Sequence, residues 1–201
     1  MIVIVDYDTG NTRSLSKAFE KIGMATLISE KPEDILKADG LVLPGVGAYP
    51  KAMAALKERG LIVPILEAVA KGTPLLGICL GMQLLFDYSM EYGETAGLGL
   101  IPGKVVPFPR DSRLRIPHMG WNSLEPTADS LVNGRAGDFV YYVHSYYVAC
   151  SAEYVLSFSD YGVKVPGVVK NGNVYGTQFH PEKSGEVGLA LLNGFKKVVE
   201  A

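Results

Sequence analysis

The sequence of 201 residues contains only two cysteines and three histidines. Two cysteines cannot form the disulfide framework that stabilises small secreted domains, so a reducing, cytoplasmic setting is predicted. Neither the cysteines nor the histidines have the spacing of metal ligands. We therefore expect no metal site and no cofactor.

Strong charge of either sign is also missing. The formal net charge is −2 and no basic block occurs, which disfavours nucleic acid and anionic membranes as partners. No apolar stretch approaches the about 20 residues that a membrane-spanning helix needs. The sequence instead has 48% hydrophobic and 20% charged residues, a balance typical of globular proteins. Its length predicts one domain over residues 1–201.

The first half of the sequence alternates short apolar runs with segments of helical periodicity. Strands are predicted at residues 2–5, 25–28, 41–43 and 75–78, and helices at 15–22, 61–70 and 80–86. Continuous apolar strands of this kind are buried on both faces, as in parallel sheets. The alternation therefore predicts a doubly wound α/β fold.

The second half is rich in short β segments separated by turns. Strands are predicted at residues 104–108, 139–143, 146–150, 154–159, 165–169 and 174–179. We expect them to run antiparallel and to join the parallel part in one mixed, mostly parallel sheet flanked by helices. A final helix is predicted around residues 187–198, with Ser184 as a candidate N-cap.

The motif GICLG at residues 77–81 places Cys79 between two glycines, after a strand and before a helix. This context is that of a nucleophile elbow, a tight turn that needs small neighbours. A helix N-terminus favours a thiolate, and the N–H of Leu80 could bind an oxyanion. A packed core thiol explains the motif equally well, so it leaves both possibilities open.

A nucleophile needs a base, and His180 is the candidate that the pattern favours. It follows the predicted strand 174–179, and Glu182 lies two residues further on. Residues two apart share a face of an extended strand, so Glu182 could orient one nitrogen of His180 while the other faces Cys79. For an isolated H-P-E segment, a surface hydrogen bond is the simpler interpretation. The pairing with GICLG favours catalysis.

The loop PGVG at residues 44–47 follows another predicted strand. At the carboxyl end of a parallel strand it would border the usual ligand crevice, and its glycines would let backbone N–H groups approach a substrate. An ordinary turn is the alternative. The second cysteine, Cys150, lies in an apolar segment and is expected in the core.

These segments together resemble a known family. PGVG, GICLGMQLLF and QFHPEKS, in that order, resemble the class I glutamine amidotransferases. Within that family, DYDTGN, PHMGWN and VHSYY are similar to the glutaminase subunits of imidazole glycerol phosphate synthases. The likeness runs from residue 2 to about 197. It implies a class I glutamine amidotransferase-like, flavodoxin-like fold.

The resemblance also implies roles for individual residues. Cys79 would attack the carboxamide of glutamine, with His180 as proton carrier and Glu182 as its orienting partner. Oxyanion stabilisation is implied for the backbone of Leu80, Val46 and Gly47. Substrate contacts are implied for Gly47, Gln83, His144, Ser145 and Tyr146. A partner interface is implied for Asn11, Ser14, His118, Met119, Trp121 and Lys183.

The implied partner is a (β/α)8-barrel cyclase subunit that forms a heterodimer with this chain. The cyclase would use the ammonia to make imidazole glycerol phosphate and an aminoimidazole carboxamide ribonucleotide. Independently, a chain this short, without a Walker A loop, has little room for an acceptor site of its own. Two residues depart from the family pattern: Asp8 replaces a glycine and Thr12 replaces a leucine.

Two alternatives to this function stay open. The chain could be the glutaminase subunit of another pathway, or a cysteine hydrolase of different specificity, such as a peptidase or esterase. Gln83 and the HPEKS segment favour a glutaminase over other hydrolases. The presence of Cys79, His180 and Glu182 disfavours a binding module that has lost catalysis.

Overall fold

The first half of the chain is built from alternating strands and helices. In the computed structural model, which describes residues 1–8, 10–109 and 114–201, these elements are β1 (Ile2–Val5), α1 (Thr12–Lys21), β2 (Thr26–Ser29), α2 (Pro32–Leu36), β3 (Gly40–Leu43), α3 (Tyr49–Glu58), α4 (Ile62–Ala70), β4 (Leu75–Ile78) and α5 (Leu80–Leu84). The sequence did not predict α2 or α3. The helix predicted at 80–86 ends at Leu84.

The second half is mostly β structure. It contains β5 (Phe86–Ser89), β6 (Thr95–Ala96), β7 (Ile101–Pro107), β8 (His118–Ser123), β9 (Glu125–Pro126), β10 (Phe139–His144), β11 (Tyr146–Ala149), β12 (Val155–Asp160), β13 (Lys164–Asn171), β14 (Val174–Thr177) and α6 (Gly185–Val199). Short 3₁₀ helices cover Ala152–Tyr154 and Pro181–Lys183.

The main sheet has eight strands in the order β2-β1-β3-β4-β14-β13-β12-β9. The strands from β2 to β14 pair in parallel, and β13, β12 and β9 continue the sheet antiparallel. This arrangement confirms the predicted mixed, mostly parallel α/β sheet. Because β4 and β14 are parallel neighbours, their carboxyl ends lie side by side. The segments that follow them carry Cys79 and His180.

The expectation that all the later strands would join this sheet is wrong. β8 and β10 form a separate two-stranded sheet, and β5, β6, β7 and β11 form a four-stranded one. The burial of these strands explains the separation. β10 alternates buried with more exposed residues, and β7 buries only Ile101 and Val105, whereas β1, β3 and β4 are buried along their whole length. An alternating strand suits a small sheet with one covered face.

The core lies on both faces of the main sheet. On one face, Phe19 of α1 and Phe195 of α6 pack with Tyr142 of β10. On the other face, helices α2, α3 and α4 pack with buried residues of β7 and β11, such as Val105 and Val148. Among the described residues, no helix is long and apolar enough to cross a membrane.

The turn between β4 and α5 is closely packed. Cys79 has a φ of 56° and a ψ of −110°, a conformation that costs a non-glycine residue energy. A Cβ added to Gly77 would lie 2.7 Å from the carbonyl oxygen of Gly81, and one added to Gly81 would lie 1.8 Å from that of Leu43. Only glycine fits at either position, as the elbow interpretation requires.

Candidate active site

Cys79 lies at the carboxyl edge of the main sheet and is 6% exposed. Its backbone N–H donates a hydrogen bond of 2.7 Å to the carbonyl of Thr177 in β14. This bond ties the strained turn to the neighbouring strand. The thiol Sγ is 3.8 Å from the carbonyl oxygen of Val143. The nucleophile candidate is therefore held between two sheets.

The structure brings His180 and Glu182 to the same edge. His180 Nδ1 is 2.8 Å from Glu182 Oε1, and the two side chains are 1% and 0% exposed. The backbone N–H of His180 donates to the carbonyl of Tyr141 over 3.0 Å. Within the described ranges, His180 Nε2 has no hydrogen-bond partner. Glu182 thus orients the ring through Nδ1, and Nε2 is left to transfer protons.

The charge state of His180 follows from its neighbours. Burial alone would lower its pKa, but the interactions with Cys79 and Glu182 outweigh burial and raise the pKa to about 9. His180 is therefore protonated at neutral pH, and its imidazolium can stabilise a thiolate on Cys79.

A cavity of about 360 Å³ opens between these groups. Every residue for which the family resemblance implied oxyanion or substrate binding lines this cavity, together with Cys79 and His180. The lining comprises Val46, Gly47, Cys79, Leu80, Gln83, Glu91, Pro117, Val143, His144, Ser145, Tyr146 and His180.

The PGVG loop packs against the turn that carries Cys79. The hydroxyl of Tyr7 donates to the carbonyl of Pro44. A Cβ on Gly45 would come within 3.0 Å of Leu80 Cβ and of the Gly81 nitrogen. Gly47 has a φ of 98° and open space around it, so its peptide can face the cavity without steric strain.

Two glutamines connect the nucleophile to the wall of the cavity. Gln83 Nε2 donates to the carbonyl of Tyr146 over 2.8 Å and to Gln178 Oε1 over 3.0 Å. Gln178 Nε2 lies 3.9 Å from Cys79 Sγ. Gln178 was not predicted from the sequence, although it precedes His180 by two residues and a period-two pattern could have found it.

Glu91 is a second residue of the cavity that was not predicted from the sequence. It lines the cavity, and its Oε2 accepts a hydrogen bond of 2.7 Å from the backbone N–H of Tyr49. It stands in a turn-rich segment without apolar periodicity. No local sequence signal could have placed this carboxylate in the same cavity as Cys79.

The residues of the implied partner interface divide into two groups. Ser14 and Lys183 are exposed, and Met119 and Trp121 are 64% and 57% exposed. His118 corrects the expectation, because it is only 3% exposed and its ring is enclosed by aromatic side chains.

Asn11, another residue of the implied interface, contacts the carboxylate of Glu182. It is partly buried, and its side-chain amide donates a hydrogen bond to Glu182 Oε1. The carboxylate that orients His180 therefore has a second donor, which comes from the start of α1.

The structure explains one of the two departures from the family pattern. Asp8 adopts a φ of 66°, the conformation that glycine would adopt readily, and its carboxylate pairs with Arg59. Thr12 is the first residue of α1, and nothing in the structure explains its replacement of leucine.

Other expected roles need correction or placement. Ser184 does not cap α6 with its side chain. Its hydroxyl donates to the carbonyl of His180 over 2.7 Å and accepts from the N–H of Tyr141 over 3.0 Å.

Cys150 is only partly buried, and burial raises the pKa of its thiol to about 11. Among the described residues, no cluster of His, Cys, Asp and Glu side chains could hold a metal ion.

Comparison with known proteins identifies relatives along nearly the whole chain. The model of the family "Glutamine amidotransferase class-I" matches residues 3–197. The imidazole glycerol phosphate synthase subunit HisH of Listeria monocytogenes serotype 4a is 54% identical over 199 residues, which are 98% of this chain and 96% of that protein. The subunit of the same name from Lacticaseibacillus casei is 54% identical over 202 residues, 100% of this chain and 97% of its own.

Solved structures share the fold at lower sequence identity. A crystal structure described as a glutamine amidotransferase has a TM-score of 0.80 at 21% identity and covers 100% of both chains. The PurLQS structure from Thermotoga maritima has a TM-score of 0.77 at 20% identity and covers 98% of both chains.

The His180–Glu182 pair gives a prediction that does not depend on the reaction. Replacing Glu182 with glutamine removes a charge that favours the imidazolium, so the pKa of His180 should fall below its value of about 9. An NMR titration of His180 measures the shift. The matched control is Glu186→Gln, a change of an exposed carboxylate in α6. A His180 pKa that is the same in Glu182→Gln as in the unmodified protein would contradict the assignment.

The same pair makes stability depend on pH. The pKa of His180 is raised from 6.5 to about 9 on folding, so the stabilisation is complete below about pH 6.5 and is lost as pH rises through about 9. Glu182→Gln should therefore lower the free energy of unfolding by about 2 kcal/mol near pH 6 and by less near pH 10. Denaturant unfolding at both pH values tests this difference.

Proposed function

The chain belongs to the class I glutamine amidotransferase family, and from this membership we propose that Cys79, His180 and Glu182 hydrolyse L-glutamine to glutamate and ammonia. Its function is that of the glutaminase subunit of an imidazole glycerol phosphate synthase, in histidine biosynthesis. The observation that carries the assignment of residues is the meeting of a strained cysteine, an oriented histidine and Gln83 in one cavity.

In the first step, Cys79 Sγ attacks the carboxamide carbon of glutamine. The C–N bond then breaks, and the proton on His180 Nε2 passes to the leaving nitrogen, which departs as ammonia. The product is a thioester between Cys79 and the glutamyl group. Because Nε2 is not engaged elsewhere among the described residues, it can face both the thiolate and the leaving group.

The negative oxygen that develops in this step needs backbone donors. The N–H of Leu80 is suited, because Leu80 begins α5 and the first N–H groups of a helix lack intrahelical acceptors. The second donor comes from the Val46–Gly47 segment, which lines the same cavity. Both donors adjoin the turn that carries Cys79.

In the second step, neutral His180 takes a proton from water, and the resulting hydroxide attacks the thioester carbon. The C–S bond breaks, glutamate leaves, and the thiolate and imidazolium are restored. Glu182 keeps Nδ1 as the donor to its carboxylate throughout, so Nε2 is always the nitrogen that moves protons.

The cavity offers polar groups for each end of glutamine. Both amide hydrogens of Gln83 are used by Tyr146 and Gln178, so its Oε1 is left to accept from the substrate carboxamide. The backbone of residues 144–146 holds the amino-acid head, and the Glu91 carboxylate is placed for its ammonium group. A cavity of about 360 Å³ has room for a small amino acid.

The chain is one subunit of a complex. We propose that its partner is a (β/α)8-barrel cyclase in a heterodimer, seated on the surface that includes Ser14, Met119, Trp121 and Lys183. Met119 and Trp121 are large, exposed apolar residues two positions apart on β8, and so on the same face of the strand, as expected of an interface. A closed joint would keep ammonia from protonation by water.

Two further proposals concern the domain organisation of the chain and its location in the cell. We propose that residues 1–201 form one glutaminase domain, because the two core clusters share the main sheet. A cytoplasmic location suits a nucleophilic thiol that must stay reduced.

The first test compares the two cysteines. Cys79→Ala should abolish glutamate release, by at least about a thousandfold, because it removes the nucleophile. The matched control is Cys150→Ala, which should keep near full activity and has a similar change in volume. A coupled assay for glutamate, with the partner present, measures both. Glutamate release by Cys79→Ala at the unmodified rate would contradict the proposal.

The second test concerns the partner. Adding the cyclase subunit should raise glutaminase turnover by at least about fivefold, because in this proposal partner binding is coupled to the triad. Trp121→Ala should weaken this activation by reducing affinity. The control is Val63→Ala, because Val63 is an exposed apolar residue of α4, and α4 packs on the opposite face of the main sheet from β10. Equal turnover with and without the cyclase would contradict a coupled partner.

A further inference from the structure

The imidazole rings of two buried histidines have no role in the mechanism above. His118 begins β8, His144 ends β10, and the two are paired across the antiparallel ladder. They are 3% and 6% exposed. His118 Nδ1 lies 2.9 Å from His144 Nε2, so one ring must donate a proton to the other.

The hydrogen bonds of Asn122 show which of the two rings donates. The backbone N–H of Ser123 can only donate, and it donates to Asn122 Oδ1 over 2.8 Å. The Asn122 amide nitrogen therefore faces the carbonyl of Asp160, at 2.9 Å, and His118 Nε2, at 3.3 Å. An amide nitrogen only donates, so His118 Nε2 must accept and Nδ1 carries the proton.

The hydrogen bond of His144 to Tyr146 independently gives the same direction for the bond between the two rings. His144 Nδ1 lies 2.8 Å from the carbonyl oxygen of Tyr146, which can only accept. His144 Nδ1 must therefore carry a proton, and in a neutral ring its Nε2 is an acceptor. His118 Nδ1 donates to it. Hydrogen bonds thus run in one direction from Asn122 through both histidines to Tyr146.

The surroundings keep both rings neutral and fixed. His118 is stacked between Tyr142 and Tyr161, with ring centroids 4.5 Å and 3.8 Å away. Burial lowers the pKa of His118 to about 4. For His144, burial and the charges of His118 and His180 lower the pKa to about 3, although the bond to Tyr146 opposes this.

The chain of hydrogen bonds ends at the wall of the cavity. The carbonyl of Tyr146 accepts from His144 on one side and from Gln83 on the other, so both of its lone pairs are used. His144, Ser145, Tyr146 and Gln83 all line the cavity. Hydrogen bonds therefore link His118 to this segment of the cavity wall through His144.

We propose that His118 is a positioning residue for glutamine: through its Nδ1–H donor it holds His144 in the Nδ1–H tautomer, and His144 in turn fixes the peptide of Tyr146 that shapes the glutamine site. The kinetic part of this proposal rests on the glutaminase function proposed above. The tautomeric part does not.

The tautomers can be measured directly in the full chain. Nitrogen-15 labelling of histidine gives signals from only three residues, and the variants His118→Asn and His180→Asn assign them. We expect both His118 and His144 to show a protonated Nδ1 and an unprotonated Nε2, without titration between about pH 6 and pH 9. An Nε2–H tautomer or an imidazolium at either residue would overturn the proposal.

Variants of His118 separate the hydrogen bond from packing. His118→Phe keeps an aromatic ring between the two tyrosines but removes the donor. We expect it to raise KM for glutamine roughly tenfold, with kcat changed less than about threefold. His118→Asn places an amide donor near the Nδ1 position and should restore much of the lost affinity. Phe108→Leu is the control, because Phe108 contacts both rings without a hydrogen bond.

The outcomes distinguish the two proposals. KM unchanged in a folded His118→Phe variant, or raised equally in Phe108→Leu, would overturn the positioning role. If instead the unmodified complex does not hydrolyse glutamine, the proposed function fails while the tautomer measurement still decides the hydrogen-bond chain. Thermal unfolding of each variant shows whether it is folded in the assay.

Discussion

The contact between Gly81 and the carbonyl of Leu43 is the constraint on which the rest of the site depends. It lets the first turn of α5 lie directly against the end of β3, so the chain must reverse sharply at Cys79. The energetic cost of the strained backbone at Cys79 is offset by the hydrogen bond to Thr177 and by burial between two sheets. In return, the thiol, the first N–H of α5 and the PGVG loop share one small cavity.

Polar groups around that turn are buried and need partners, and their hydrogen bonds set the chemistry. Glu182, supported by Asn11, fixes one nitrogen of His180 and leaves the other unpaired toward the cavity. Gln83 uses both of its donors on Tyr146 and Gln178. Because a buried unpaired group costs stability, this network has few alternative arrangements. The positions of Gln83, His180 and Glu182 are therefore fixed by hydrogen bonds within the chain.

The sequence predicts those features that depend on the spacing of nearby residues. β1, β3, β4 and β14 stand out as strands, and glycines beside Cys79 and the two-residue step from His180 to Glu182 point to the proposed triad. The rest depends on pairing between distant segments. The separation of β8 and β10 from the main sheet, the contact of His118 with His144, and the approach of Glu91 to the cavity need a register that no local pattern records. His118 is instructive, since its motif implied a surface residue while its strand partner buries it.

The covalent intermediate on Cys79 is the central claim, and rapid acid quenching followed by peptide mass spectrometry tests it most directly. The intact complex is mixed with glutamine, quenched during turnover and digested. The mechanism predicts a γ-glutamyl group on the peptide that contains Cys79 and none on the peptide that contains Cys150. Steady glutamate release with no adduct on Cys79 at any quench time, or an adduct confined to Cys150, would contradict it.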